Sequence, residues 1–122
     1  IKTPEAKAKG ARFTPDVVKP YLNTLNAILA DSKRVTTPAQ AAAFLAKLHP
    51  ALPRFEQRQK QIMQGYVDFE NSGEKTPANL AAEKMLSEAG NQAEAIDGEF
   101  TRIEKFYGAA KPDFQKFRDI FN

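Results

Sequence analysis

Cysteine is absent from the 122 residues, and histidine occurs once. Without cysteine the chain has no disulfide, no thiol nucleophile and no cysteine metal site, although a cysteine-free protein is at home in any redox compartment. Covalent haem, which needs Cys-x-x-Cys-His, is excluded as well. The lone His49 has no histidine partner for a metal, and the Glu-x-x-His motif that a di-iron bundle uses twice does not occur. Carboxylates do cluster at Asp68 and Glu70 and at Glu94, Asp97 and Glu99, without those histidines. The six glycines are scattered rather than gathered into a phosphate-binding loop. No apolar run approaches the roughly 18 residues of a membrane span. The expectation is a protein that is not an enzyme, with no catalytic residue, cofactor or metal.

What is present is ordinary globular composition, 42% hydrophobic and 27% charged, which argues against disorder. A chain of this length forms one domain and removes roughly two-thirds of its unfolded surface from water. The net charge of +3 hides an asymmetry: residues 1–60 carry 11 Lys/Arg against 4 Asp/Glu, and residues 61–122 carry 7 against 11. Pairing of basic and acidic helices within the fold accounts for this. The basic residues are dispersed and not interleaved with aromatics in a nucleic-acid motif, so no nucleic-acid partner is expected.

Four Thr-Pro pairs punctuate the sequence, at Thr3-Pro4, Thr14-Pro15, Thr37-Pro38 and Thr76-Pro77. Threonine caps a helix through its hydroxyl, and proline suits the first helical position, where its fixed φ is already helical. After the last three pairs an apolar pattern of helical period begins. Val18, Tyr21, Leu25 and Ile28, widened by Leu22 and Leu29, predict a first helix from Pro15 to Lys33. Gln40 stands where a capping box on Thr37 wants it. From Pro38 a second helix keeps a 3-4 alternation through Leu45, Leu48, Leu52, Phe55, Gln59, Ile62, Tyr66 and Phe69, with Gln59 its only polar member. Pro50 and Pro53 interrupt it, yet the seam passes them in phase, which predicts one kinked helix ending at Gly73 rather than a reversal. A third helix from Pro77 carries Ala82, Leu86, Ala89, Ala93, Ile96, Phe100, Ile103, Tyr107 and Ala110. A short fourth helix follows Pro112, with Phe114, Phe117, Ile120 and Phe121.

The fold class expected is all-α: an antiparallel three-helix bundle with a long kinked second helix, a long third helix and a short C-terminal fourth helix. Residues 1–13 are expected as a flexible N-terminal arm and 14–122 as a single bundle domain. The short connection after Gly73 makes the second and third helices antiparallel, with facing numbers summing to about 149. That register would put Arg54 and Arg58 near Glu94 and Glu88, and Lys47 near Glu99 and Arg102. The second and third helices would each run about 45–50 Å, and the first only about 28 Å. The distal tip, roughly residues 60–90, would then be left with two helices unless the N-terminal arm lies against it. Ile62, Met63, Tyr66, Phe69, Leu80, Met85 and Leu86 therefore form the candidate interaction surface. Its expected partner is another protein or a second copy. Carriage of a small apolar ligand or lipid between the helices, opposite Ala89, Gly90 and Ala93, is the alternative.

The run Thr37-Pro38-Ala39-Gln40-Ala41-Ala42, with Leu45, Leu48 and Leu52-Pro53-Arg54-Phe55-Glu56, resembles a segment of small helical proteins predicted to be exported by bacteria. Tyr21 to Leu29 is similar to their first helix, and Glu104-Lys105-Phe106-Tyr107-Gly108 to a later stretch. The nine phenylalanines depart from that pattern. The resemblance implies a helical bundle in the periplasm or anchored to the envelope, and it transfers no functional residue. The chain opens on Ile1 rather than Met, so an upstream segment is expected to have been removed; such a segment would supply a peripheral membrane tether.

Overall fold

Each Thr-Pro pair begins a helix. A computed structural model describes residues 3–107 and residue 119. Within them the helices are α1 (Pro4–Ala11), α2 (Pro15–Lys33), α3 (Pro38–Leu48), α4 (Leu52–Ser72) and α5 (Pro77–Tyr107), with a 3-10 turn at His49–Ala51 between α3 and α4. The Thr3 hydroxyl accepts from the Ala6 amide at 3.1 Å, Thr37 from Gln40 at 3.2 Å and Thr76 from Asn79 at 3.0 Å. Thr14 has the extended backbone of a cap without the side-chain bond. The Gln40 side chain reaches back one residue further than a simple capping box, accepting from the Thr36 amide and hydroxyl, each at 2.8 Å. The short fourth helix expected after Pro112 lies outside the described residues, as do Ala110 and the Tyr107 side chain.

These segments stack into three rods. Leu48, Ala51 and Leu52 all keep right-handed helical backbone, so the chain bends at Pro50 and Pro53 without reversing. Leu45, Leu48, Leu52, Phe55, Ile62 and Phe69 are buried along one continuous seam that runs through the kink. Gly73 stops α4 with φ 71°, the left-handed conformation that glycine adopts without a Cβ clash. The sole polar seam member has a partner: Gln59 Nε2 donates to the Tyr21 hydroxyl at 3.4 Å, while the Tyr21 ring stacks on Phe55 at 5.2 Å.

The first rod differs from expectation. The arm that was to be flexible is helical from Pro4 to Ala11 and lies against α4, so α1 and α2 form one bent rod. From Pro4 to Lys33 this rod spans about 45 Å, matching the other two. The pattern of large apolar residues gave no hint of α1, because α1 packs by lacking side chains. A Cβ placed on Gly10 would sit 2.4 Å from the Ser72 Cβ and 3.0 Å from the Asp68 carbonyl oxygen. The bend follows from Pro15, which holds Thr14 extended (φ −126°, ψ 164°) and offers no amide to continue the helix.

Direction follows from the pairings. Lys7 meets Glu74, Phe13 meets Phe69, and Tyr21 meets Phe55, so the first two rods are antiparallel. Asn79 bonds the carbonyls of Gly10 and Phe13, Gln92 bonds Asn26, and Arg102 bonds the carbonyls of Ser32 and Val35. The third rod therefore runs parallel to the first. Ala82 and Ala89 are fully buried in α5, and α2 lies along it. Gly90, one of the small residues that the carrier alternative placed beside a ligand, faces open space. The Arg102 guanidinium also takes Glu99 at 2.7 Å and satisfies carbonyls at the end of α2, where a cation suits the helix dipole. Lys47 does not reach Glu99; it pairs with Asp31 at 3.4 Å, because α3 flanks the C-terminal end of α2.

Gly10→Ala is expected to lower stability by about 1–3 kcal/mol through overpacking, despite alanine's better helix propensity. Urea midpoints would show this, and Ser72→Gly in the same chain should recover much of the loss by vacating the clash.

Candidate functional site

Phe13 decides what becomes of the tip. It precedes the cap of α2, is 1% exposed, and lies 5.4 Å from the Phe69 ring in a stacked arrangement and 5.7 Å from Tyr66 edge-on. Ile62 and Phe69 are consequently interior residues, at 2% and 3% exposure. Tyr66, Met85 and Leu86 are half-buried against the same core. The candidate surface is thus not the continuous apolar patch that two unshielded helices would present; a third rod covers it. Met63 and Leu80 remain out, at 49% and 48%, joined by Val67 at 44%, one helical turn beyond Met63 on α4.

Beside these residues a cleft of about 250 Å³ opens at the α4–α5 connection, lined by Tyr66, Phe69, Glu70, Gly73, Glu74, Lys75 and Glu83. Tyr66 and Glu83 share it because α4 and α5 run in opposite directions from the connection at Gly73. Glu74 is held by Lys7 at 3.2 Å. The negative charge of Glu70 is the main influence on the Tyr66 phenol and disfavours its anion; desolvation and Glu83 act the same way, so its pKa is raised. The cleft joins two aromatic rings with three carboxylates and Lys75, and with Glu74 paired to Lys7 its remaining excess of negative charge comes from Glu70 and Glu83.

Two other hollows are shallower in chemistry. One of about 310 Å³ lies between α1 and α4, lined by Thr3, Glu5, Ala6, Lys9, Asp68 and Asn71. The other, about 240 Å³, is at the far end, where Val35, Ala43 and Phe44 are bordered by Asp31, Arg34, Gln40 and Lys47. Among the described residues no group of three His, Cys, Asp or Glu side chains could hold a metal ion. Buried Ser32, Ser72 and Asn79 all have hydrogen-bond partners. Their polarity serves the fold. His49 is exposed on the 3-10 turn.

Sequence reasoning missed two residues that shape this end, Phe13 and Asn79. Phe13 occupies the position before the Thr14 cap and is buried together with Val18, the arrangement of a hydrophobic staple. Asn79 stands three residues after Thr76, and its Oδ1 accepts from the Thr76 amide at 3.1 Å, making a reciprocal box. Both signals were local and present. No protein-family model matches the chain, and no curated protein or solved structure matches it.

Tyr66 should ionise above the usual phenol range near pH 10, read as the difference in ultraviolet titration between the protein and its Tyr66→Phe variant. Glu70→Gln with Glu83→Gln should bring that midpoint down. Because the folded-state pKa is raised, the associated stability is whole below the unfolded value and is lost as pH rises through the folded one.

Proposed function

We propose that this is a non-enzymatic helical-bundle protein that acts through protein contact or self-association at the α4–α5 end. The observation that carries this reading is the exposure of Met63 and Val67, one turn apart on α4, together with Leu80 near the start of α5. Large apolar side chains held nearly half open on rigid helices are contact material, and the neighbouring cleft adds a half-buried tyrosine flanked by Glu70 and Glu83. An aromatic group with fixed negative charge around it favours a partner that brings lysine or arginine to the same place. An envelope location in a bacterium belongs to the same proposal and rests on the resemblance of the Thr37 to Glu56 segment to exported helical proteins. Carriage of a small apolar ligand has no specific observation in its favour, since Ala82 and Ala89 lie buried with α2 packed along α5.

Mass measured by light scattering across a wide concentration range tests the contact, with Met63→Asp/Val67→Asp as the variant. Both positions are exposed, so thermal stability should change little. Association that weakens at least about tenfold in the variant, equivalent to about 1.4 kcal/mol, supports the reading. A monomer at every concentration removes self-association. If cross-linking in the native envelope also captures the same neighbours with and without the two aspartates, the contact surface is wrong.

A further inference from the structure

The segment that covers the tip lies close along α4 but buries little side chain there. α1 has eight residues and no large apolar side chain, and only Gly10 in it is buried. An isolated helix of this length is marginal in water, so α1 owes its helicity to docking. Its ion pair, Lys7 with Glu74, is exposed and correspondingly weak. Gly10 against Ser72 gives close contact but little buried area. What remains is the Phe13 ring and one side chain from the third rod: Asn79 Nδ2 donates to the Gly10 carbonyl at 3.0 Å and to the Phe13 carbonyl at 2.9 Å. α2, by contrast, buries Val18, Tyr21, Leu22, Leu25 and Leu29.

The joint between the two helices is built to separate them. Pro15 has no amide to donate, and the amides of Val17 and Val18 bond the Thr14 carbonyl rather than α1. The Phe13 amide bonds back to Gly10. Removing α1 therefore breaks no rung of the α2 ladder. We infer that residues 3–13 form a strap, hinged at Thr14-Pro15 and latched by Asn79, that opens as a unit while α2 to α5 stay folded. Opening withdraws Phe13 from between Tyr66 and Phe69, so the strap governs access to the aromatic face of α4. This goes beyond the contact proposed above and does not depend on it.

Hydrogen exchange on the full chain, resolved by residue, tests the strap. Amides from Lys7 to Phe13 should exchange about 100-fold faster than those of Leu25 and Ile96, relative to their intrinsic rates. Asn79→Asp retains an acceptor for the Thr76 amide but sets a carboxylate against the two carbonyls. It should widen the gap by about tenfold or more, with Leu25 and Ile96 nearly unchanged. Equal protection of strap and core in the unaltered protein would overturn the inference, as would an Asn79→Asp chain in which both speed up together. The first comparison decides the matter even if the variant does not fold.

Discussion

Two antiparallel helical rods about 50 Å long cannot hide each other's apolar seams; a third of equal length must lie in the groove between them. The whole structure depends on meeting that requirement. α2 alone is too short, and the chain makes up the difference with α1, joined across the bend that Pro15 imposes at Thr14. Once the first rod reaches the α4–α5 connection, Ile62 and Phe69 become interior residues and Phe13 becomes their lid. The tip changes from an open hydrophobic end into a closed one with a small acidic cleft beside it.

Polar side chains do the joining that apolar packing leaves unspecified. Asn79 completes the α5 cap with its oxygen and the α1 terminus with its nitrogen. Arg102 does the corresponding work at the other end, gathering the carbonyls of Ser32 and Val35. Gln59 and Tyr21 sit between them, at the edge of the core. Leu and Phe would pack in several registers; three polar contacts spaced along the bundle leave one in which every donor has an acceptor.

The helices that carry large apolar residues were legible from the sequence, because Thr-Pro fixes their starts and the 3-4 spacing fixes their buried faces. Even the continuity through Pro50 and Pro53 could be read from the unbroken phase. α1 was not legible in that way. Its sequence announces a start at Thr3-Pro4 but then offers lysine, alanine and glycine, and a helix that docks by close backbone approach leaves no hydrophobic period to find. The misplaced partner of Lys47 has a different cause: long exposed side chains pair with whatever lies near, and a register estimate for one pair of helices ignores the third. The candidate surface inherited the error in rod length. Met63 and Leu80 kept their exposure, whereas Ile62 and Phe69 lost it to a residue outside the helix count.

The parallel course of the first and third rods bears on how the molecule assembles. Their bonded residues lie 66 to 70 positions apart in the chain, while the first and second rods meet across a tight turn. Chain closure of that span carries a larger entropic barrier than a local hairpin. A chain in which the first two rods have paired before α5 docks carries one flank of Leu and Phe bare. Protection of that flank against premature aggregation falls to α5, the rod that follows it in the chain.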